Sequence, residues 1–300
     1  MRYLDADAVL SLGPAGAVAA VVDALRDGLD PAEDLARIPV GLEHGQLLLM
    51  PSQRPTAVGV KVATVAPDNP RRGLPRIQAT YLLFDPTSLA LRAALDGTAL
   101  TTLRTPAVSV ATVLPALPDR PLHLAVVGAG PQALGHVRTL AAVRPLATVT
   151  HLLRDPVGGP VPAVRLGSPE AAAALGGADV VVCATSARVP VFDSSLLGER
   201  VVVVAVGSHE PDARELDGPL LERATVVVED VATALREAGD VVLAVAEGRL
   251  RVDELVPLRE VVRGTVALPA DRPVVFKGVG MSWQDVVVAE AVLRHTDTGR

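Results

Sequence analysis

The hydrophobic rhythm of the chain changes twice. Between Pro14 and Leu29, Val18, Val21, Val22, Leu25 and Leu29 recur at helical spacing, and Gly28 stands near the end. That pattern predicts an amphipathic helix lying on a core. From Arg37 the period falls to two, and residues 37–42, 46–50, 59–66, 77–84 and 89–95 predict strands. Glu43-His44-Gly45 and Asp85-Pro86-Thr87-Ser88 supply turn chemistry between them. Connections this short make neighbouring strands antiparallel, so the first hundred or so residues predict an α+β domain.

Pro106 decides the reading of residues 98–117. A proline suits a first helical position better than a helix interior, so the helix is expected to begin at Thr105 as N-cap, with Val108, Ala111 and Thr112 following. Arg104 would then flank a helix N-terminus, where its guanidinium and free N–H groups could meet one anion. Beyond residue 121 the order is strand, helix, strand. Residues 122–127, 147–153, 163–166, 179–184, 201–206 and 225–228 are apolar runs of strand length. Helices are expected after Ser168 and over 193–197 and 217–224. The order predicts a doubly wound parallel sheet. No helix fits between its second and third strands, because residues 155–162 hold three prolines and two glycines. Val274 to Phe276 predicts a last strand. Ser282-Trp283-Gln284-Asp285 reads as a capping box opening a helix through Leu293, expected to leave the sheet and pack on the first domain. The division is thus residues 1–115 with 277–300, and residues 116–276.

Between the run ending at Val127 and the helical pattern of Leu134, Val137, Leu140 and Ala141 stands Gly128-Ala129-Gly130-Pro131-Gln132-Ala133, of the form G-x-G-x-x-A. Strand, glycine turn and helix in that order is the setting of a dinucleotide fingerprint. Gly128 permits the tight turn, Gly130 lets backbone approach a pyrophosphate, and Ala133 lets the helix lie close to the strand. Pro131 fits the first helical position, and the helix N-terminus offers free N–H groups to phosphate.

Composition narrows the partners. The chain of 300 residues is 49% hydrophobic but 2% aromatic, so Val, Ala and Leu must build its core. A formal charge of −6, with no basic run and few rings for stacking, argues against nucleic acid. The lone Cys183 excludes an internal disulfide and fits a reducing cytoplasm. The start lacks the apolar stretch of a signal peptide, and Val201 to Val206 is too short to span a bilayer, so no membrane partner is expected. His44, His123, His136, His151, His209 and His295 show no ligand spacing, and no metal site is expected.

Several of these features occur together with others along nearly the whole chain. They are Arg37, Leu49-Met50-Pro51, Gly59-Val60-Lys61, Gly73-Leu74-Pro75, Leu95 to Thr98 and Leu100 to Thr105. To these add Val127 to Ala133 with His136, Ala178 to Thr185, Arg214-Glu215-Leu216, Gly239-Asp240 and Val275 to Gly280. In these residues the chain resembles the ornithine cyclodeaminase/mu-crystallin family. The resemblance implies a Rossmann domain binding NAD or NADP. It further implies an amino or imino acid handled between that domain and an N-terminal substrate-binding and dimerisation domain, in a homodimer. It implies that Lys61, Arg37 and Arg104 grip the substrate carboxylate. It places the cofactor at Thr105, Gly128, Ala129, Gly130, Pro131, Gln132, Ala133, Arg154, Thr185 and Gly207. Lys61 stands out by itself, since a charge between Val60 and Val62 on an apolar strand needs a partner.

Three departures shape the expected chemistry. Where cyclodeaminases carry an aspartate after the fifth strand, this chain has Gly207-Ser208-His209. At the end of the second strand Arg154 could meet a 2′-phosphate, which favours NADP, while Asp155 one place later leaves NAD possible. The missing helix at residues 156–162 removes part of the adenosine wall, which is expected to weaken cofactor affinity. The expected activity is NAD(P)H-dependent reduction of an imino acid, or the reverse oxidation of an amino acid, at the α-carbon. Lys61 would polarise or protonate the imine nitrogen, and His209 is a second acid/base candidate. The alternatives are a cyclodeaminase releasing ammonia from ornithine or lysine, and a crystallin-like cofactor-binding protein with little catalysis.

Overall fold

The computed structural model describes residues 2–298. They form two compact units, one running to Val108 and resuming at Met281, the other spanning Ser109–Gly280. In the first, β1 (Arg2–Leu4), α1 (Ala6–Leu10) and α2 (Gly13–Arg26) precede β2 (Ile38–Leu42), β3 (Gly45–Arg54), β4 (Ala57–Val65), β5 (Ile77–Phe84) and β6 (Leu91–Asp96). The period-two segments become an antiparallel meander from β2 to β6, with β1 added parallel to β6 at the edge. Gly45 makes the β2–β3 turn at φ +152°, where a Cβ would stand 2.1 Å from the Val65 carbonyl. Cross-strand register sets Lys61 opposite Met50 and Tyr81, so these side chains share one face of the sheet.

Helix α3 (Gly97–Val113) corrects the expected start at Thr105. The Asp96 carboxylate accepts the Ala99 N–H at 2.8 Å, and the helix begins there. Pro106 lies inside it, so Arg104 and Thr105 are helix-interior residues and Thr105 is not the N-cap. An interior proline costs about 3 kcal/mol. Leu100, Leu103, Val108 and Val110 are all buried, and each such side chain contributes about 1.5–3 kcal/mol, so burial outweighs the break.

The second unit contains β7 (Leu122–Val127), α4 (Pro131–Val143), β8 (Leu146–Leu153), β9 (Ala163–Arg165), α5 (Pro169–Gly176), β10 (Val180–Cys183) and β11 (Val202–Ala205). It continues with α6 (Gly218–Arg223), β12 (Thr225–Val228), α7 (Val231–Glu237), α8 (Gly239–Ala246), β13 (Val256–Pro257), α9 (Leu258–Arg263) and β14 (Val274–Lys277). Eight parallel strands run in the order β13-β12-β14-β11-β10-β7-β8-β9. This is the expected doubly wound sheet, with the valine runs of β10, β11 and β12 buried within it. The order reverses between β7 and β10, and ligands of such sheets bind beyond the carboxyl ends at that point. The helix expected over 193–197 is a single 3-10 turn, Ser194–Leu196. Among the described residues no helix joins β8 to β9, as the prolines require.

The chain returns to the first unit with α10 (Ser282–Thr298), which packs on α2, β3 and β4. The expected capping box does not form. Asp34 accepts the Trp283 N–H at 2.7 Å, and the Asp285 carboxylate is turned to Lys61. Among the described residues no helix is long and apolar enough to cross a membrane.

Candidate active site

Alternation along β4 puts Ala57, Gly59, Lys61 and Ala63 on its buried face. Lys61 is 3% exposed, and its Nζ donates to Asp285 Oδ2 at 2.8 Å. Arg104 is 5% exposed and donates through Nη1 to Gln284 Oε1 at 2.5 Å. Its Nε lies 3.3 Å from Asp285 Oδ1, an ion pair without hydrogen-bond geometry. Two cations therefore converge on one buried carboxylate. Arg37, half-buried, adds a third positive charge within electrostatic reach of Lys61. Burial lowers the Lys61 pKa to about 8; Asp285 opposes the fall, and Arg104 and Arg37 deepen it. Tyr81 fills the space beside Lys61 because Gly59 is a glycine: a Cβ there would stand 2.0 Å from the tyrosine hydroxyl. Burial pushes the pKa of that hydroxyl well up.

Asp34 stands at the edge of this cluster. Burial raises its pKa to about 6, against the pull of hydrogen bonds from Ser52 and Trp283 and with added repulsion from Asp285. The fold thus prefers the protonated acid. The stability this preference contributes is full below about pH 4 and is lost as pH rises through 6. Asp34→Asn removes the titration. Its unfolding free energy in urea, relative to wild type, should shift in favour of the variant by about 1–3 kcal/mol between pH 4 and 7. A difference constant across that range would contradict the assignment.

In the second unit the turn after β7 has the shape a dinucleotide needs. Gly128 has φ +123°, and a Cβ there would stand 2.7 Å from the Ala184 carbonyl, so only glycine fits. Nothing lies within 4 Å of where a Gly130 Cβ would point, which leaves that side open. Gly130 is the N-cap of α4 and adds no side-chain cap, so the helix end is left to bind an anion. His151 Nδ1 lies 2.9 Å from the Gly128 carbonyl oxygen and pins the turn. His136 Nδ1 lies 2.7 Å from the Gln132 carbonyl oxygen, and burial lowers its pKa to about 4, so the imidazole is neutral and donates there. Ala129, Arg154 and Thr185 join Gly128 in lining a cavity of about 320 Å³. Pro131 and Ala133 occupy the first turn of α4. These residues fit a nicotinamide dinucleotide. His209 is exposed in the loop after β11.

Behind this cavity stand two carboxylates, Glu215 and Asp240, whose motifs carry the family resemblance but disclose no role by themselves. Glu215 is buried and accepts the Thr185 N–H at 2.8 Å, the Thr185 hydroxyl at 2.7 Å and the Gly207 N–H at 2.7 Å. It thereby joins the loops that leave β10 and β11, and burial pushes its pKa up. Asp240 accepts the N–H groups of Glu215 and Leu216, both at 2.8 Å, and pairs with Lys277 at 3.0 Å. Lys277 donates to the Ser208 carbonyl at 2.6 Å. Thr185 and Gly207 thus belong to a braced rim rather than to free loop ends. One signal was available. Of 28 cationic residues, only Lys61 and Lys277 are lysines, and both are buried and paired.

The chain is similar to known proteins over most of its length. The chain is 32% identical over 271 residues to the ketimine reductase mu-crystallin of Rattus norvegicus, covering 88% of this chain and 84% of that one. It is 32% identical over 273 residues to a Delta(1)-pyrroline-2-carboxylate reductase of Burkholderia ambifaria, covering 88% and 85%. The structure of Thermococcus litoralis Delta(1)-pyrroline-2-carboxylate reductase in complex with NADH and L-proline matches with a TM-score of 0.87 at 25% identity, covering 100% and 98%. The family model for ornithine cyclodeaminase/mu-crystallin matches residues 15–299. With that match over nearly its whole length, the chain belongs to the ornithine cyclodeaminase/mu-crystallin family.

Proposed function

We propose that this chain is an NAD(P)H-dependent imine reductase acting on a cyclic or linear imino acid held by its carboxylate. The observation that carries the reading is charge. Lys61 and Arg104 share the Asp285 carboxylate and Arg37 adds positive charge at Lys61, while Asp34, with a pKa of about 6, is only partly ionised below neutrality. Two buried cations on a single carboxylate attract a further anion, such as a substrate carboxylate. A bound nicotinamide dinucleotide supplies the hydride. Arg104 and Arg37 orient the substrate carboxylate, and the Lys61 ammonium gives a proton to the imine nitrogen as hydride reaches the α-carbon. A pKa near 8 suits a proton donor at neutral pH.

NADP(H) is the favoured cofactor in this reading. The Arg154 side chain is exposed at the cavity, while Asp155 does not line it and lies 3.7 Å from Arg165. A homodimer is supported by the sheet face opposite α10. Ile38, Val40, Leu49, Val60, Val62 and Leu82 share that face and are exposed or half-exposed. The cyclodeaminase alternative lacks its carboxylate: the loop after β11 offers His209, and the next residue, Glu210, is paired with Arg188.

The test is an assay of Delta(1)-pyrroline-2-carboxylate with NADPH and, separately, NADH, beside L-ornithine with catalytic oxidised cofactor. Imine-dependent cofactor oxidation is expected, faster at limiting NADPH than NADH, with the difference reduced in Arg154→Ala. L-Ornithine should give little ammonia or proline. Sustained proline formation at the rate of imine reduction would restore the cyclodeaminase reading.

A further inference from the structure

We infer that Asp285 is a positioning residue whose carboxylate, carried on α10, keeps the Lys61 side chain protonated and aimed. This builds on the reading of Lys61 as proton donor. The contact joins residues 224 apart in sequence, and both side chains are withdrawn from water. Charged and titratable groups from several elements stand around Lys61. From α10 come Asp285 and, further along, Glu290; from α3, Arg104; from β5, Tyr81; from the segment before β2, Asp34 and Arg37. Glu290 is held by Arg54 at 2.8 Å, and Asp34 is held by Ser52 and Trp283. Thr101 Oγ1, 3.4 Å from Nζ, also accepts from it and carries no charge.

Asp285 is therefore the anion that touches the ammonium. Burial and two neighbouring guanidiniums all drive Lys61 toward the neutral amine, and Asp285 is the group opposing them. Take away its charge and the amine should lose its proton within the working pH range. A buried carboxylate of purely structural use would leave the lysine titration where it is.

The two-lysine composition makes this measurable without any assay of turnover. Protein grown with 13Cε-lysine has two side-chain resonances to follow, and Lys61→Arg assigns them. In wild type the Lys61 resonance should titrate near pH 8. In Asp285→Asn its midpoint should move to lower pH by about one unit or more, with the Lys277 resonance unchanged as the check on folding. The alkaline limb of kcat/KM should follow. The variant should lose about fivefold more activity at pH 8 than at pH 6, the change in protonated fraction for a one-unit shift. Asp285→Glu, which keeps the charge, should restore much of both.

An unmoved Lys61 midpoint in folded Asp285→Asn would overturn the inference. A midpoint that moves while the rate profile stays put would leave Asp285 in its role and defeat the proton-donor reading instead. Should Asp285→Asn fail to fold, 13Cγ-aspartate in the wild-type protein answers the same question. The Asp285 carboxyl resonance, identified by its loss in Asp285→Glu, must inflect at the Lys61 midpoint if the two groups are coupled, and its flatness there would overturn the inference equally.

Discussion

Replacing Arg104 by alanine should lower kcat/KM for imino-acid reduction by about two to three orders of magnitude and leave dinucleotide affinity within about twofold. Arg104 is 5% exposed, so a carboxylate that reaches it has given up most of its water. Truncating one member of a desolvated charge pair costs about 2–5 kcal/mol, much of it the penalty of leaving the other charge unpaired. The effect should fall mainly on KM, because the carboxylate is bound in ground and transition states alike. Arg104→Lys should recover only part of the loss, since an ammonium cannot present the guanidinium's two parallel donors. The same substitution leaves the Gln284 amide oxygen without its 2.5 Å donor, so urea unfolding must accompany the kinetics. Turnover within threefold of wild type in a folded Arg104→Ala would place the substrate carboxylate elsewhere.

The contrast between Lys61 and Asp285 shows what the chain discloses by itself. Lys61 is conspicuous because its immediate neighbours are Val60 and Val62, so a purely local pattern exposes the anomaly. Asp285 has an equally local pattern, Ser282 with an acid three residues on, and that pattern misleads. The carboxylate is claimed by a lysine 224 residues away, a contact no short window contains. Glu215 and Asp240 stand in motifs of the family resemblance, but their roles were hidden for the same reason. Either acid looks solvated until the N–H groups of Thr185 and Gly207 are seen on Glu215 and those of Glu215 and Leu216 on Asp240.

Regular elements were legible where one period held. The valine runs of β10, β11 and β12 and the Gly128 turn needed no tertiary knowledge. Helix α3 failed because the proline rule is a local cost that burial overrode. Residues 229–273 yielded nothing because α7, α8 and α9 are short, and the apolar run of α8 matches a strand as well as a helix. Three-residue β1 is too brief to have a period.

The second large effect is expected at Lys277. Lys277→Met should destabilise the protein by about 3–5 kcal/mol, the usual result of stripping the partner from a buried ion pair. The pair at 3.0 Å has no exposure on either side, so water cannot replace the ammonium. Asp240 would keep the N–H groups of Glu215 and Leu216 but lose its counterion, and Glu215, already repelled by Asp240, would lose the attraction of the same lysine. Two buried carboxylates would then face each other. Adding Asp240→Asn removes one of those charges while keeping an oxygen for the two N–H donors. The double variant should therefore be more stable than Lys277→Met alone, with a coupling of about 1–3 kcal/mol in the cycle. The measurement is urea unfolding of wild type, both single variants and the double variant, followed by circular dichroism. If the effects of Lys277→Met and Asp240→Asn simply add, the lysine stabilises the rim through the Ser208 carbonyl alone, and the ion pair contributes nothing.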